Sequence, residues 1–337
     1  MTKQPSTLSE IGEFKFISQL IQKSFLTKVR SHREIRVGIG DDACVLKLGK
    51  QGYWVITKDL LFEGTHFKLG GPYNFRLLGR KAAKVNLSDI AAMGAQPKYV
   101  LIGVGIPPTT KIRDWKDFLS GFEEACRPFG VKLIGGDANK FDRWVLSITM
   151  LGYSPGKPML RSTAKVGDEL WVTGTLGASA LGLKAISKKK NPSFKKWIRC
   201  HLDPPVRIRE GQALGRLGYV SSMIDVSDGI GHDLKRISEC SSVGFKVFVE
   251  QIPVEKNFHK IGVQLGCNPL QSVVYGGEDY ELLFTIKHEK AHAFRRWLAK
   301  QTFQATCIGE VTASKLGVRF LNPQGKVIKT ESSSHHF

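Results

Sequence analysis

The stretch GIGDDACVL, Gly38–Leu46, sets two adjacent carboxylates, Asp41 and Asp42, between a glycine turn and an apolar strand. Neighbouring like charges repel, so a structural role alone does not account for them. Five further stretches follow the same grammar, with an acid at the end of an apolar segment beside Gly or Ser. They are TKDLLFEGTHF (Asp59, His66), NLSDIAAMGA (Asp89), LIGGDANK (Asp137), IDVSDGIGHDL (Asp225, Asp228) and YGGEDYEL (Glu278, Asp279). One aspartate beside glycine is an ordinary turn former or helix cap. Doubled acids and repeated glycine–acid turns exceed what caps require. Apolar strands that end in such turns, alternating with helical segments, predict an α/β (α+β) chain.

Outward from that stretch the elements alternate. Gly52–Phe62 begins as a strand and reaches Asp59. Asn74–Gly94 has helical spacing, with Leu77, Leu78, Ala82, Val85 and Ile90 on one face, and stops at Gly94 with Pro97 beyond. KYVLIGVGIPP and RWVLSITMLGY read as strands around a helix from Ile112. Pro and Gly cluster in SPGKPM, Ser154–Met159, and the pattern then restarts. Two domains are therefore expected, 1–153 and 154–337, in line with a chain of 337 residues. Cys44 is read as a core residue of its strand. Within each acidic doublet, one side chain is expected to serve the site and its neighbour to orient backbone, because adjacent side chains of an extended segment point apart.

Composition narrows the class. The six cysteines are scattered, with no CxxC pair, which speaks against a zinc site or a disulfide scaffold. The first residues lack the apolar stretch of a signal peptide, and no apolar run reaches the ~18 residues of a membrane span. A cytoplasmic, reduced protein with no membrane partner is expected. The formal net charge is +20, with one basic cluster at Ser187–Arg199. The other basic residues are dispersed and no nucleic-acid-binding motif occurs, so the charge reads as a solvated basic surface.

Several acids converging from different strand ends need cations among them. Hard divalent ions take carboxylate oxygens, and Mg²⁺ characteristically combines carboxylates with substrate phosphates. Chemistry of that kind is phosphoryl transfer between anions. There is no Walker A loop and no protein-kinase HRD set, so the phosphate site is of another type.

Seven stretches in order resemble the thiamine-monophosphate kinases, within the superfamily of aminoimidazole ribonucleotide synthetase: GIGDDA, NLSDIAAMGAQP, LIGGD, RSTAKVGDELWVTGTLGASALGL, HLDPPVR, IDVSDGI and GGEDYELLFT. The terminal His-Phe is similar too. The resemblance implies a two-domain synthetase-like fold. Its N-terminal sheet domain binds ATP and Mg²⁺ and pairs into a barrel in a homodimer, and a C-terminal α/β domain follows. It implies in-line transfer from ATP to thiamine monophosphate, in thiamine diphosphate biosynthesis, with several Mg²⁺ ions and no covalent catalytic residue. The metal ligands would be Asp42, Thr57, Asp59, Asp89, Asp137, Asp225 and Asp228. Gly136, Arg161 and Ser227 would meet ATP, and His66, Glu278 and Ser334 the substrate. Three positions depart from the family pattern: Lys58 and Ala138 replace threonines, and Ser334 replaces an aromatic residue. The competing readings are another ATP-dependent enzyme of this superfamily, or a non-catalytic basic binding protein on the same fold. Selenophosphate synthetase would need a reactive Cys in an N-terminal glycine-rich segment, and none precedes Cys44.

Overall fold

The computed structural model describes residues 32–188 and 194–330. Ser334 therefore lies outside the described residues, as do residues 189–193 of the basic cluster. Two six-stranded mixed sheets organise the chain. The first is built from β1 (Ile35–Val37), β2 (Cys44–Leu46), β3 (Tyr53–Phe62), β4 (Gln96–Ile106), β5 (Lys132–Lys140) and β6 (Val145–Ser154), in the order β1-β2-β3-β6-β4-β5. Only β4 and β5 pair in parallel, and a helical crossover joins them.

That crossover is α2 (Ile112–Cys126), packed against α1 (Phe75–Ala92). The Asn74 side chain caps α1 by accepting the Leu77 N–H at 2.8 Å. The two helices cross closely because each presents a glycine to the other. A Cβ on Gly79 would lie 2.0 Å from the Phe118 carbonyl oxygen, and one on Gly121 would lie 1.9 Å from that of Arg76. α1 is buried nearly all round, with Leu78, Ala82, Val85 and Ile90 inside as the spacing predicts, together with Lys81 and Lys84.

The second sheet comprises β7 (Glu169–Thr173), β8 (Val220–Asp225), β9 (Val243–Phe248), β10 (Leu282–Ile286), β11 (Ala305–Ala313) and β12 (Val318–Leu321), in the order β12-β9-β11-β7-β10-β8. It carries α3 (Ala178–Ser187), α4 (Lys195–Leu202), α5 (Ile208–Leu217), α6 (Ile230–Ser241), α7 (Phe258–Gln264), α8 (Pro269–Val274) and α9 (Ala291–Leu298). α4 overlaps the basic cluster Ser187–Arg199, which shows in the sequence only as a run of charge. It is a helix because Trp197, His201 and Leu202 bury one face beneath the lysines. β9, β11 and β12 were not singled out in the sequence.

One apolar core runs through both halves, joining Leu78 and Leu146 of the first to Met223, Phe284 and Phe294 of the second. α1 is the bridge. Its end packs so tightly on α5 that a Cβ on Gly211 would lie 2.1 Å from the Ala91 carbonyl oxygen. The C-terminal turn of α1 is thereby pressed between the sheets, and Asp89 sits on that turn.

Cys44 lies in β2 but is half-buried, with Ala43 and Val45 forming the core on either side. The alternation along β3 places Thr57, Asp59 and Leu61 on the inner face and Lys58, Leu60 and Phe62 on the outer.

Candidate metal and phosphate site

Three carboxylates from remote segments meet at the junction. One oxygen each of Asp42 (turn before β2), Asp89 (α1) and Asp225 (end of β8) lies within 4.8 Å of the others. Thr57 donates its hydroxyl to Asp89. Ser88 donates to Asp225 at 2.6 Å, tying α1 to the second sheet. Asp42 Oδ2 and Asp59 Oδ2 are buried with no hydrogen-bond partner among the described residues. A carboxylate oxygen shut from water without a donor is costly, and the usual compensation is a proton or a cation.

The electrostatics agree. Burial raises the Asp59 carboxyl to about 6. Burial, then the Asp42 charge, raises Asp225 to about 7, although Ser88 and Arg161 act the other way. Asp89 is pushed well above the usual carboxylate range by burial and then by Asp59, Asp225 and Asp42. Each charge makes its neighbours harder to ionise. The donor set, all carboxylate and hydroxyl oxygen, suits a hard divalent cation such as Mg²⁺. Asp42, Asp89 and Asp225 would hold it, with Asp59 and Thr57 alongside.

Arg161 closes one side. Its guanidinium donates to Asp42, and its backbone N–H donates to Asp41 Oδ2 at 3.1 Å. Asp41 Oδ1 also accepts the Asp42 N–H at 3.0 Å. The doublet is thus divided, with Asp41 holding backbone and Asp42 turned to the cluster. Burial and the Asp42 charge raise Asp41 to about 7, against the pull of Arg161.

Other sequence-derived candidates are placed differently. Asp137 lies on β5, whose nine residues are all exposed, and its carboxylate accepts the Ala138 N–H and the Asn139 amide, both at 2.9 Å. It stands outside the three-carboxylate group. Gly136 beside it approaches β4 so closely that a Cβ would lie 2.0 Å from the Ile102 carbonyl oxygen. Asp228 is ion-paired to Arg236, which also holds the buried Asp233 at 2.6 Å. Lys58 points away from the cluster and donates to Ser147 at 2.9 Å.

The Glu278 turn docks on the Ser227 turn. The Glu278 N–H donates to the Ser227 carbonyl at 2.8 Å, and a Cβ on Gly277 would lie 2.4 Å from that same oxygen. Asp279 accepts the Gly177 and Ser179 N–H groups at 2.6 and 3.1 Å, orienting the start of α3. Its carboxyl is raised to about 7 by burial, against those two bonds. His66, half-buried in the turn after β3, accepts the Phe62 N–H at Nδ1 (3.0 Å). Sequence reasoning passed over Ser88, Lys81, His201 and Arg236. For Lys81 a signal existed, since a lysine sits on the helix face otherwise filled by Leu78, Ala82 and Val85.

Comparison with known proteins places these features. The model of the AIR synthase related protein N-terminal domain matches residues 40–154, and that of its C-terminal domain matches residues 165–321. A thiamine-monophosphate kinase of Buchnera aphidicola subsp. Acyrthosiphon pisum is 37% identical, over 96% of this chain and 98% of that protein. The Bacillus subtilis thiamine-monophosphate kinase is 32% identical, over 91% and 95%. A solved structure of AaThiL complexed with AMPPCP and TMP matches with a TM-score of 0.84 at 28% identity, covering 99% of this chain and 100% of that one.

Proposed function

This chain belongs to the AIR synthase related family and, within it, to the thiamine-monophosphate kinases, and from that premise we propose that it transfers the γ-phosphoryl group of ATP to thiamine monophosphate, giving thiamine diphosphate and ADP. The observation that carries the reading is the convergence of Asp42, Asp89 and Asp225 from three remote segments, where a buried oxygen of Asp42 and one of Asp59 find no donor among the described residues. A binding scaffold has no use for such clustered charge.

The acceptor is a phosphate oxygen, already anionic near neutral pH, so the chain needs no strong general base and no covalently modified residue. The obstacle is to bring two anions together in line. Asp42, Asp89 and Asp225, with Asp59 and Thr57 alongside, would hold Mg²⁺, which would supply the neutralising charge. Arg161, fixed at its guanidinium by Asp42 and at its backbone by Asp41, offers a further positive group to the nucleotide phosphates. Gly136 and Ser227 belong to the ATP side of this reading, and His66 and Glu278 to the thiamine phosphate side. Asp137 and Asp228 would be further ligands in this reading.

The same reading divides the chain at its Pro/Gly stretch, 1–153 and 154–337, and places the enzyme in the cytoplasm. No helix among the described residues is long and apolar enough to cross a membrane. It also makes the protein a homodimer, with the outer face of the first sheet covered by a second copy.

The test is incubation with ATP, Mg²⁺ and thiamine monophosphate. Thiamine diphosphate is the expected product, and it should be lost on addition of EDTA. A protein that binds both substrates and makes no product would sink the proposal.

A further inference from the structure

Glu278 is held by groups that no part of the phosphoryl-transfer argument uses. Lys81, on α1 and 2% exposed, lies 2.8 Å from Glu278 Oε1. His201, on α4 and 1% exposed, places Nδ1 3.1 Å from Glu278 Oε2. His201 Nε2 is 2.7 Å from the Tyr73 hydroxyl and 3.4 Å from Lys81 Nζ, and its Nδ1 is also 3.1 Å from Ser179 Oγ.

One proton arrangement fits these contacts and leaves no ring lone pair facing the carboxylate. Burial, then the Lys81 charge, lowers His201 to about 4 despite Glu278, so the ring is neutral at neutral pH. Burial and the Glu278 charge keep the Tyr73 hydroxyl protonated. With Tyr73 donating to Nε2, the ring proton sits on Nδ1, which faces Glu278 Oε2 and Ser179 Oγ. Lys81 donates to the other carboxylate oxygen. Burial alone would raise the Glu278 carboxyl, yet the Lys81 charge brings it below its usual range.

The arrangement is expensive as mere packing. Well-packed apolar residues in place of a buried ion pair are commonly neutral or stabilising. The backbone is constrained as well, since Glu278 is a non-glycine residue in the left-handed region at φ 66°. Strain and buried charge together serve to present one carboxylate in one orientation.

We propose that Lys81, His201 and Tyr73 are positioning residues that hold the Glu278 carboxylate fixed and anionic toward the cationic thiazolium ring of the substrate. The inference rests on the kinase reading and adds to it a determinant of substrate affinity separate from the ATP machinery. Lys81 and His201 come from opposite halves of the chain, so the carboxylate is aimed only when the halves are docked.

The experiment measures KM for thiamine monophosphate, KM for ATP and kcat, with calorimetric titration of thiamine monophosphate alone. Lys81→Met and His201→Leu should each raise KM and Kd for thiamine monophosphate ~10- to 100-fold, the size of a lost hydrogen bond to a charged group. KM for ATP should stay within about twofold, a change of under half a kcal/mol. His201→Asn, whose amide can still donate to Glu278, should recover most of the affinity. Tyr73→Phe removes one hydroxyl and keeps the test open where Lys81→Met fails to fold; it should raise KM about threefold, the lower end for one hydrogen bond. An unchanged KM for thiamine monophosphate in the folded variants overturns the inference. So do equal losses toward both substrates, and so does His201→Asn behaving like His201→Leu. A wild-type chain that neither binds nor phosphorylates thiamine monophosphate overturns the kinase reading and this inference with it. A competent wild type with an indifferent Lys81→Met overturns this inference alone.

Discussion

Asp89 is the residue on which the most charge converges, since Asp42, Asp59 and Asp225 all act on it. Asp89→Asn keeps the shape and removes the charge. Turnover should fall at least ~1000-fold, because several kcal/mol of electrostatic stabilisation are lost. In EDTA the variant should melt no lower than wild type, since one repulsive partner is gone. The same cluster sets a pH dependence. Asp59 and Asp225 have folded values of about 6 and 7, above the unfolded value of 3.8. Their contribution to stability is complete below about pH 4 and is lost as pH rises through 6 to 7. Cation-free protein should therefore lose melting temperature between pH 5 and pH 8. Mg²⁺ should restore it, by little at pH 5, where protons hold the carboxylates, and by about 2–5 °C at pH 8 for roughly 1–2 kcal/mol in a chain of this size. Scanning calorimetry with and without Mg²⁺ at both pH values checks the sign. A Mg²⁺ effect larger at pH 5 would refute the assignment. At this scale much was legible: the acids announced themselves by spacing, and strand alternation already separates Lys58 from Asp59. Lys81 and His201 were not legible as a pair, because 120 positions separate them and burial of a lysine runs against pattern.

Among the elements, α1 carries the argument from packing to site. It touches α2, both sheets and α5, and its last turn presents Ser88 and Asp89. Gly79→Ala would set a methyl group against backbone at Phe118, where nothing can rotate away. The expected cost is about 1–3 kcal/mol of overpacking. Loss of kcat should accompany it, because a shifted α1 moves Asp89 away from Asp42 and Asp225. Chemical denaturation read beside kcat separates this from Asp89→Asn, which should lose activity at nearly unchanged stability. α1 was readable because eighteen residues give several turns of periodicity and a clear stop at Gly94. α4 was not, since an eight-residue helix that buries Trp197, His201 and Leu202 shows too short a pattern beneath a lysine run. The edge strand β12 was likewise too short to stand out, having four residues.

At the scale of the whole molecule, the first sheet leaves an apolar outer face. Leu60, Phe62 and Tyr99 are 46%, 38% and 38% exposed, and the edge strand β5 exposes Leu133 and Ile134. A long exposed edge with apolar side chains is a template for association unless something covers it. The covering proposed above is a second copy of the chain, and both copies carry a formal net charge of +20. An apolar face joining two cationic bodies has a distinctive signature. Repulsion between the copies is screened by salt while burial of the face is not, so association should tighten as ionic strength rises. Sedimentation equilibrium should show a dimer whose dissociation constant falls as NaCl is raised from about 0.05 to about 0.5 M, over which the screening length shrinks several-fold. Leu60→Lys combined with Ile134→Lys should give a monomer with an unchanged far-ultraviolet circular dichroism spectrum, since neither side chain belongs to the monomer core. A wild-type protein that stays monomeric at micromolar concentration in high salt, or a double variant that still dimerises, would remove this face from the interface.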